Sequence, residues 1–280
     1  VTGASIRSPV ALLVCWTAAA LVGPAAAQTT PSHPANYLLG AEASDARALL
    51  LQPAGLSARR EATLGGFLDF SKAGSSTELA QYGVLLASRG LGLGWRHDRA
   101  PGASTVNTWA VGYALGGPAL GFGLARRWLR GDSTHDATFD LGLRSRVGSR
   151  LLVAAAWRDI GSPVVRGASV PETLTPGALL LLAGGRAHAG VDWELRTDDW
   201  AATTLRLGVA VPLPRGLQLS ARADFGSGLD AYRGFALAVT WNRPGLRSAA
   251  YAAWPDGGAA DHHGFWLAAL RPLDSPRRRF

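Results

Sequence analysis

From residue 61 onward, apolar positions alternate with small or polar ones. Tyr82, Val84 and Leu86 alternate with Gln81, Gly83 and Leu85; Leu91, Leu93 and Trp95 alternate with Gly92, Gly94 and Arg96. The same period runs through Trp109/Val111/Tyr113/Leu115, Leu120/Phe122/Leu124, Phe139/Leu141/Leu143, Leu151/Val153/Trp157, Val191/Trp193/Leu195, Leu205/Leu207/Val209/Val211, Leu217/Leu219/Phe225 and Phe235/Leu237/Val239/Trp241. A period of two over eight to ten residues means strands with one apolar face and one different face. No stretch beyond the N-terminus approaches the roughly 18–20 apolar residues of a membrane-spanning helix.

Tight turns at 88–90, 116–118, 147–149, 183–186, 212–216 and 242–245 alternate with longer polar loops at 71–77, 99–105, 130–135, 161–176, 196–201, 226–233 and 255–262. Short connections on one side and long ones on the other are the layout of an outer-membrane β-barrel. The count closes at about fourteen strands, beginning with 61–70 and ending near 263–271. The faces of strands eight, thirteen and fourteen are blurred by Leu179–Leu182, the alanine-rich 249–253 and Trp266. Periodicity alone also admits a soluble β-protein with the apolar face inward. Trp95, Trp109, Trp128, Trp157, Trp193, Trp241 and Trp254 fall near strand ends, where an indole suits a membrane–water interface. The expected fold is therefore all-β: a transmembrane antiparallel barrel in the outer membrane, preceded by a short N-terminal plug segment.

Residues 1–27 have the form of a secretory signal. Arg7 is the basic region, 10–22 the apolar core, Gly23-Pro24 the break and Ala25-Ala26-Ala27 the cleavage site before Gln28. The organisation expected is signal 1–27, periplasmic or plug segment 28–60, barrel 61–271 and tail 272–280. The only cysteine, Cys15, lies in the signal, so the exported chain carries no thiol chemistry. The net charge of +8 comes almost wholly from arginine, Lys72 being the one lysine. These arginines are dispersed singly apart from Arg277-Arg278-Arg279, a pattern that argues against nucleic-acid binding.

The segment before strand one holds Asp45 among small residues, followed by Gln52-Pro53-Ala54-Gly55-Leu56. This resembles the N-terminal segment of the FadL-type outer-membrane transport barrels, whose relatives include the type IX secretion barrels and barrels preceding signal-peptide-peptidase domains. Members carry an acidic residue in a small-residue stretch and then Asn-Pro-Ala-Gly-Leu; here Gln52 stands in the asparagine position. The resemblance implies fourteen strands, an N-terminal plug in the lumen and transport of small hydrophobic compounds. It further implies partnership with outer-membrane lipid and the barrel assembly machinery.

Charges in phase with the lumen are Arg96, Arg127, Asp140, Arg144, Arg158, Asp192, Glu194, Arg196, Arg206, Arg222 and Asp224. They form either a polar pathway or a bracing Arg–carboxylate network, and the sequence admits both readings. No Gly-x-Ser-x-Gly elbow or P-loop occurs. The adjacent His262-His263 would point oppositely on a strand, and Asp198-Asp199 sits in a loop. Neither pattern makes a metal site. No enzyme chemistry, cofactor or metal is expected. Transport is set against a barrel that anchors or assists a secretion or peptidase machine. Phe280 is either a true aromatic C-terminus or an internal residue of a longer chain.

Overall fold

The computed structural model describes residues 35, 37–59, 61–73, 75–99, 104–227, 231–255 and 261–273. The signal segment, Gln28, Arg277-Arg278-Arg279 and Phe280 lie outside these residues. The barrel strands are β1(Glu61–Ala73), β2(Ser76–Ser88), β3(Leu91–Asp98), β4(Val106–Gly116), β5(Leu120–Gly131), β6(Thr134–Val147), β7(Leu151–Ile160), β10(Thr173–Leu182), β11(Ala187–Arg196), β12(Thr203–Pro212), β13(Leu217–Phe225), β14(Tyr232–Arg243), β15(Leu246–Pro255) and β16(His262–Pro272). A small hairpin, β8(Val164–Val165) and β9(Ala168–Ser169), stands between β7 and β10 outside the ring. Each barrel strand pairs antiparallel with its chain neighbours, and β1 pairs with β16, so the fourteen-stranded sheet has no free edge.

The outer face is apolar and uncovered. Leu93, Val111, Leu115, Phe122, Leu207, Val209, Leu237, Phe265 and Leu267 are all exposed, Leu115 to 58%. An apolar surface that encircles the molecule far exceeds what a soluble monomer tolerates. It fits a lipid-facing band, so the protein is an outer-membrane-type barrel. Trp95, Trp109 and Trp128 lie side by side across β3, β4 and β5, and Phe235 stacks on Trp254 at 4.6 Å. These aromatics gather toward the loop end; Trp241 and Tyr113 stand near the turn end.

Two expected loops are strand instead. Over 71–77, Lys72 pairs with Thr77, and over 130–135, Gly131 pairs with Thr134. Polar residues remain in the ladder beyond the lipid band, because water can solvate their side chains while the backbone stays paired. The expected loop 161–176 likewise gives up its last residues to β10. Pro176, a loop signal in sequence, pairs with Ala155 on one side. The pairing with β11 skips Thr175 and Pro176, as a residue without an N–H requires. The rest of this connection folds inward. Val165 and Val170 are buried against lumen-facing Val106 and Leu129. Arg166 donates from Nε to the Ser104 carbonyl at 2.8 Å and from its backbone to Thr134 Oγ1 at 2.9 Å.

The strands with blurred faces resolve in the same way. On β10, Leu180 and Leu182 face outward, while Leu179 is buried inward in a cluster with Leu39. On β16, Trp266 faces inward and is only 1% exposed. Apolar residues occur on the inner wall where the N-terminal segment lies against it.

Leu207→Arg and Leu237→Arg should each cost about 2–4 kcal/mol near the membrane midplane, less toward an interface. Unfolding titrations in lipid vesicles measure this, and an unchanged midpoint at both positions would overturn the outward assignment.

Candidate functional site inside the barrel

Residues 37–57 form a chain of short turns: a 3-10 turn at Gly40–Glu42, a single helical turn α1(Ala48–Leu51) and a second 3-10 turn at Pro53–Ser57. Pro53 opens its turn at a position where a missing N–H costs nothing. Ala41, Ala46, Ala48, Leu49, Gln52 and Ala54 are completely buried. They lie against a wall stripped of side chains. A methyl group on Gly123 would occupy the space of Pro53 and Ala54, and one on Gly142 would collide with Gln52 Oε1. Gly92 and Gly112 give the same clearance to Leu49 and Leu56. Gln52 Nε2 then donates to the carbonyls of Leu143 and Ala155 at 2.7 and 2.9 Å, tying the segment to β6 and β7. Leu56 packs among the wall alanines, and Gly55 passes so close to Ala43 that no side chain fits.

Asp45 makes the second attachment. It accepts from Arg47 Nε and Nη2 at 3.0 and 2.7 Å and from Arg247 Nη1 of β15 at 2.9 Å. Arg47 also donates to the Tyr37 hydroxyl and lies over the rings of Tyr37 and Trp266 at 5.6 and 5.3 Å. Burial alone would raise the Asp45 carboxyl's pKa. The Arg47 and Arg247 guanidiniums overcome that and hold it well below the usual carboxylate range. A third attachment is the backbone N–H of Gly40 donating to Asp192 Oδ2 at 2.6 Å.

The eleven charges in phase with the lumen fall into different groupings. Arg127 bridges Asp140 and Asp159 at 2.7 and 2.8 Å. Arg158 and Arg206 share Glu194, and Asp224 is shared by Arg222 at 2.8 Å and Arg206 at 3.8 Å. Asp192 serves the N-terminal segment. Arg144 stands apart near the turn end, its Nε 3.5 Å from the Ala41 carbonyl. Arg96 pairs with Asp98 at 2.9 Å, whereas Arg196 pairs with exposed Asp198 in the adjoining loop.

Some residues of this interior escape the sequence pattern. By parity Asp159 should share the outer face with Trp157. A bulge between Phe139 and Leu141, with Asp159 itself at φ 58°, turns it inward and leaves it 5% exposed. Asp69 is in phase with the lumen but has no charged neighbour in sequence; its partner Tyr251, whose hydroxyl donates to Oδ2 at 2.7 Å, is 182 residues away. Among the described residues, no cluster of three His, Cys, Asp or Glu is arranged to hold a metal.

The segment divides the lumen. On the loop side a cavity of about 400 Å³ is floored by Ala35, Leu38, Leu50 and Leu51, with Val170 and Pro171 of the inward loop also lining it. Its walls carry Arg158, Glu194, Arg206 and Arg222. On the turn side a cavity of about 500 Å³ is lined by Ala43, Asp45, Arg59, Arg144 and His188 among others. Leu38 and Ala41 border both.

The depressed Asp45 carboxyl sets the pH behaviour. A carboxylate whose folded pKa lies below its unfolded value of about 4 stabilises fully above that value. The contribution is lost as pH falls from there toward the folded pKa. Protection of residues 37–59 from protease should be constant between about pH 8 and 5 and weaken below about pH 4. Asp45→Asn should weaken it at neutral pH. An Asp45→Asn protein as protected as the parent at pH 7 would exclude the carboxylate as an anchor.

No known protein-family profile matches the chain, and no curated protein matches it in sequence. Solved structures do match in shape. The chain is similar to the CymD monoaromatic hydrocarbon channel, with a TM-score of 0.54 and 8% identity over 83% of this chain and 94% of that one. It is similar to the TodX deltaS2S3 mutant monoaromatic hydrocarbon channel, with a TM-score of 0.53 and 11% identity over 80% and 94%. The Acinetobacter baumannii outer membrane protein Omp33 aligns at a TM-score of 0.48 and 9% identity over 77% and 99%. At these identities the likeness is one of fold, and that fold is the closed barrel of outer-membrane channels.

Proposed function

We propose that this barrel is an outer-membrane channel for small, compact, largely apolar compounds, in the manner of the FadL-type transport barrels. The loop-side cavity carries the reading. Its volume of about 400 Å³ lies within the range of small-molecule sites. Its floor is apolar, and its wall guanidiniums offer planes over which an aromatic ring can stack. The same charged wall is a poor environment for a long acyl chain. Support also comes from CymD and TodX, both named as monoaromatic hydrocarbon channels.

In this reading residues 37–57 are a plug held by the Asp45 and Gln52 attachments, and passage requires it to move. The second reading, a barrel that anchors or assists another machine, draws on one observation. Arg127, Arg158, Arg206 and Arg222 are all engaged by carboxylates, as expected of a brace.

Planar-bilayer recordings and solute-uptake measurements on vesicles separate the two. The intact barrel should show low ionic conductance and admit a neutral monoaromatic solute. Deletion of residues 28–57 should raise conductance several-fold while the barrel remains folded by heat-modifiable electrophoretic mobility. Baseline conductance after deletion, with no solute uptake by the intact protein, would leave the lumen closed by its own ion pairs and favour the anchoring role.

A further inference from the structure

The turn-side cavity is not balanced in charge. Arg59, Arg144, Arg146, Arg186 and Arg247 line it together with Arg47 and His188, against Glu42 and Asp45 alone. Asp45 is already committed to Arg47 and Arg247, and Glu42 Oε1 lies 3.1 Å from His188 Nε2. Among the described residues, Arg144, Arg146 and Arg186 have no carboxylate partner. Arg144 has only the distant Ala41 carbonyl, and Arg146 donates to the Ser149 carbonyl at 3.0 Å. Arg59 touches Glu61 loosely at 3.7 Å. In the loop-side cavity, by contrast, Arg158, Arg206 and Arg222 each pair with Glu194 or Asp224.

The surroundings add to the imbalance. Arg89, Arg150, Arg186, Arg215 and Arg243 stand exposed in or beside five of the six turns at this end, and none of those turns contains Asp or Glu. A concave site lined by one sign of charge, with low-dielectric walls, concentrates counter-ions of the other sign. Arg forks match the paired oxygens of phosphate and carboxylate groups.

From this geometry we infer that the turn-end vestibule is a binding site for a multivalent oxyanion of the phosphate type, held by Arg144, Arg146, Arg186 and Arg59. The site is separated from the loop-side cavity by the N-terminal segment and does not depend on what that cavity admits. Such an anion would also bear on the plug. Arg59 is on the same chain segment, so its occupancy would join residues 37–59 to β6 at the mouth. The shared chemistry has two sources, free phosphate and an anionic lipid headgroup at the membrane rim.

The test titrates inorganic phosphate into the intact detergent-solubilised barrel, at ionic strength held constant with chloride, and reads heat of binding. Saturable binding at one site is expected. The Arg144→Gln/Arg146→Gln pair should weaken it at least tenfold, while Arg144→Lys/Arg146→Lys keeps most of it and Arg89→Gln, outside the cavity, changes nothing. Unaltered heat-modifiable mobility confirms that each variant is folded. Repeating the titration in phosphatidylcholine nanodiscs, with and without phosphatidylglycerol, separates the sources. Suppression of phosphate binding by phosphatidylglycerol identifies a lipid headgroup as the occupant; unchanged binding identifies the free anion. Absence of saturable binding in every medium, or equal affinity in the glutamine pair, would overturn the site.

Discussion

A sheet in lipid cannot leave backbone polar groups unpaired, and this single requirement organises the molecule. Each unpaired N–H or C=O in hydrocarbon costs several kcal/mol, so β1 must find β16 across the whole length of the chain. Closure fixes an inside and an outside for every residue. The outside needs only to be apolar, and leucine, valine and phenylalanine suffice. The inside must be filled with something that tolerates low dielectric, and the chain uses three fillers: paired charges, glycine-lined clearance and its own N-terminal segment.

The three fillers depend on one another. The glycines at 92, 112, 123 and 142 leave a groove in the wall, and a groove in a closed barrel is stable only when occupied. The segment that occupies it brings its own polar groups, which find wall partners in the Leu143 and Ala155 carbonyls, Arg247 and Asp192. Each of these links the plug to a different strand. The link to Arg247 joins opposite charges, so breaking it leaves a buried ion short of a partner. Together these attachments hold residues 37–57 to four strands of the wall.

Most of the barrel was legible because closure enforces a strict period of two. Strand order, turns and the final strand at His262–Pro272 all follow from alternation and turn chemistry. Alternation fails in two physical circumstances. One is a bulge, which inverts parity without any mark in composition and hid Asp159. The other is an inner wall that meets another part of the chain. Leu179, Tyr251 and Trp266 break the polar-inside rule because the N-terminal segment or its partners lie against them. Pro176 and the polar stretches at 71–77 and 130–135 erred in the opposite direction, since turn-forming residues can stay in a ladder once it leaves the lipid band.

The candidate site was legible as a list of charges but not as a circuit. Parity places Arg127, Asp140, Glu194 and Arg206 inside; it does not say which pairs with which, because partners lie on strands distant in sequence. The missing information is register, which decides which charges meet across the lumen. On the loop side Arg158, Arg206 and Arg222 each meet a shared carboxylate. Further along β6 from Asp140, toward the turn end of the same lumen, Arg144 and Arg146 meet no carboxylate among the described residues. One barrel thus presents two chemically distinct vestibules, and the plug between them separates an environment suited to neutral molecules from one suited to anions.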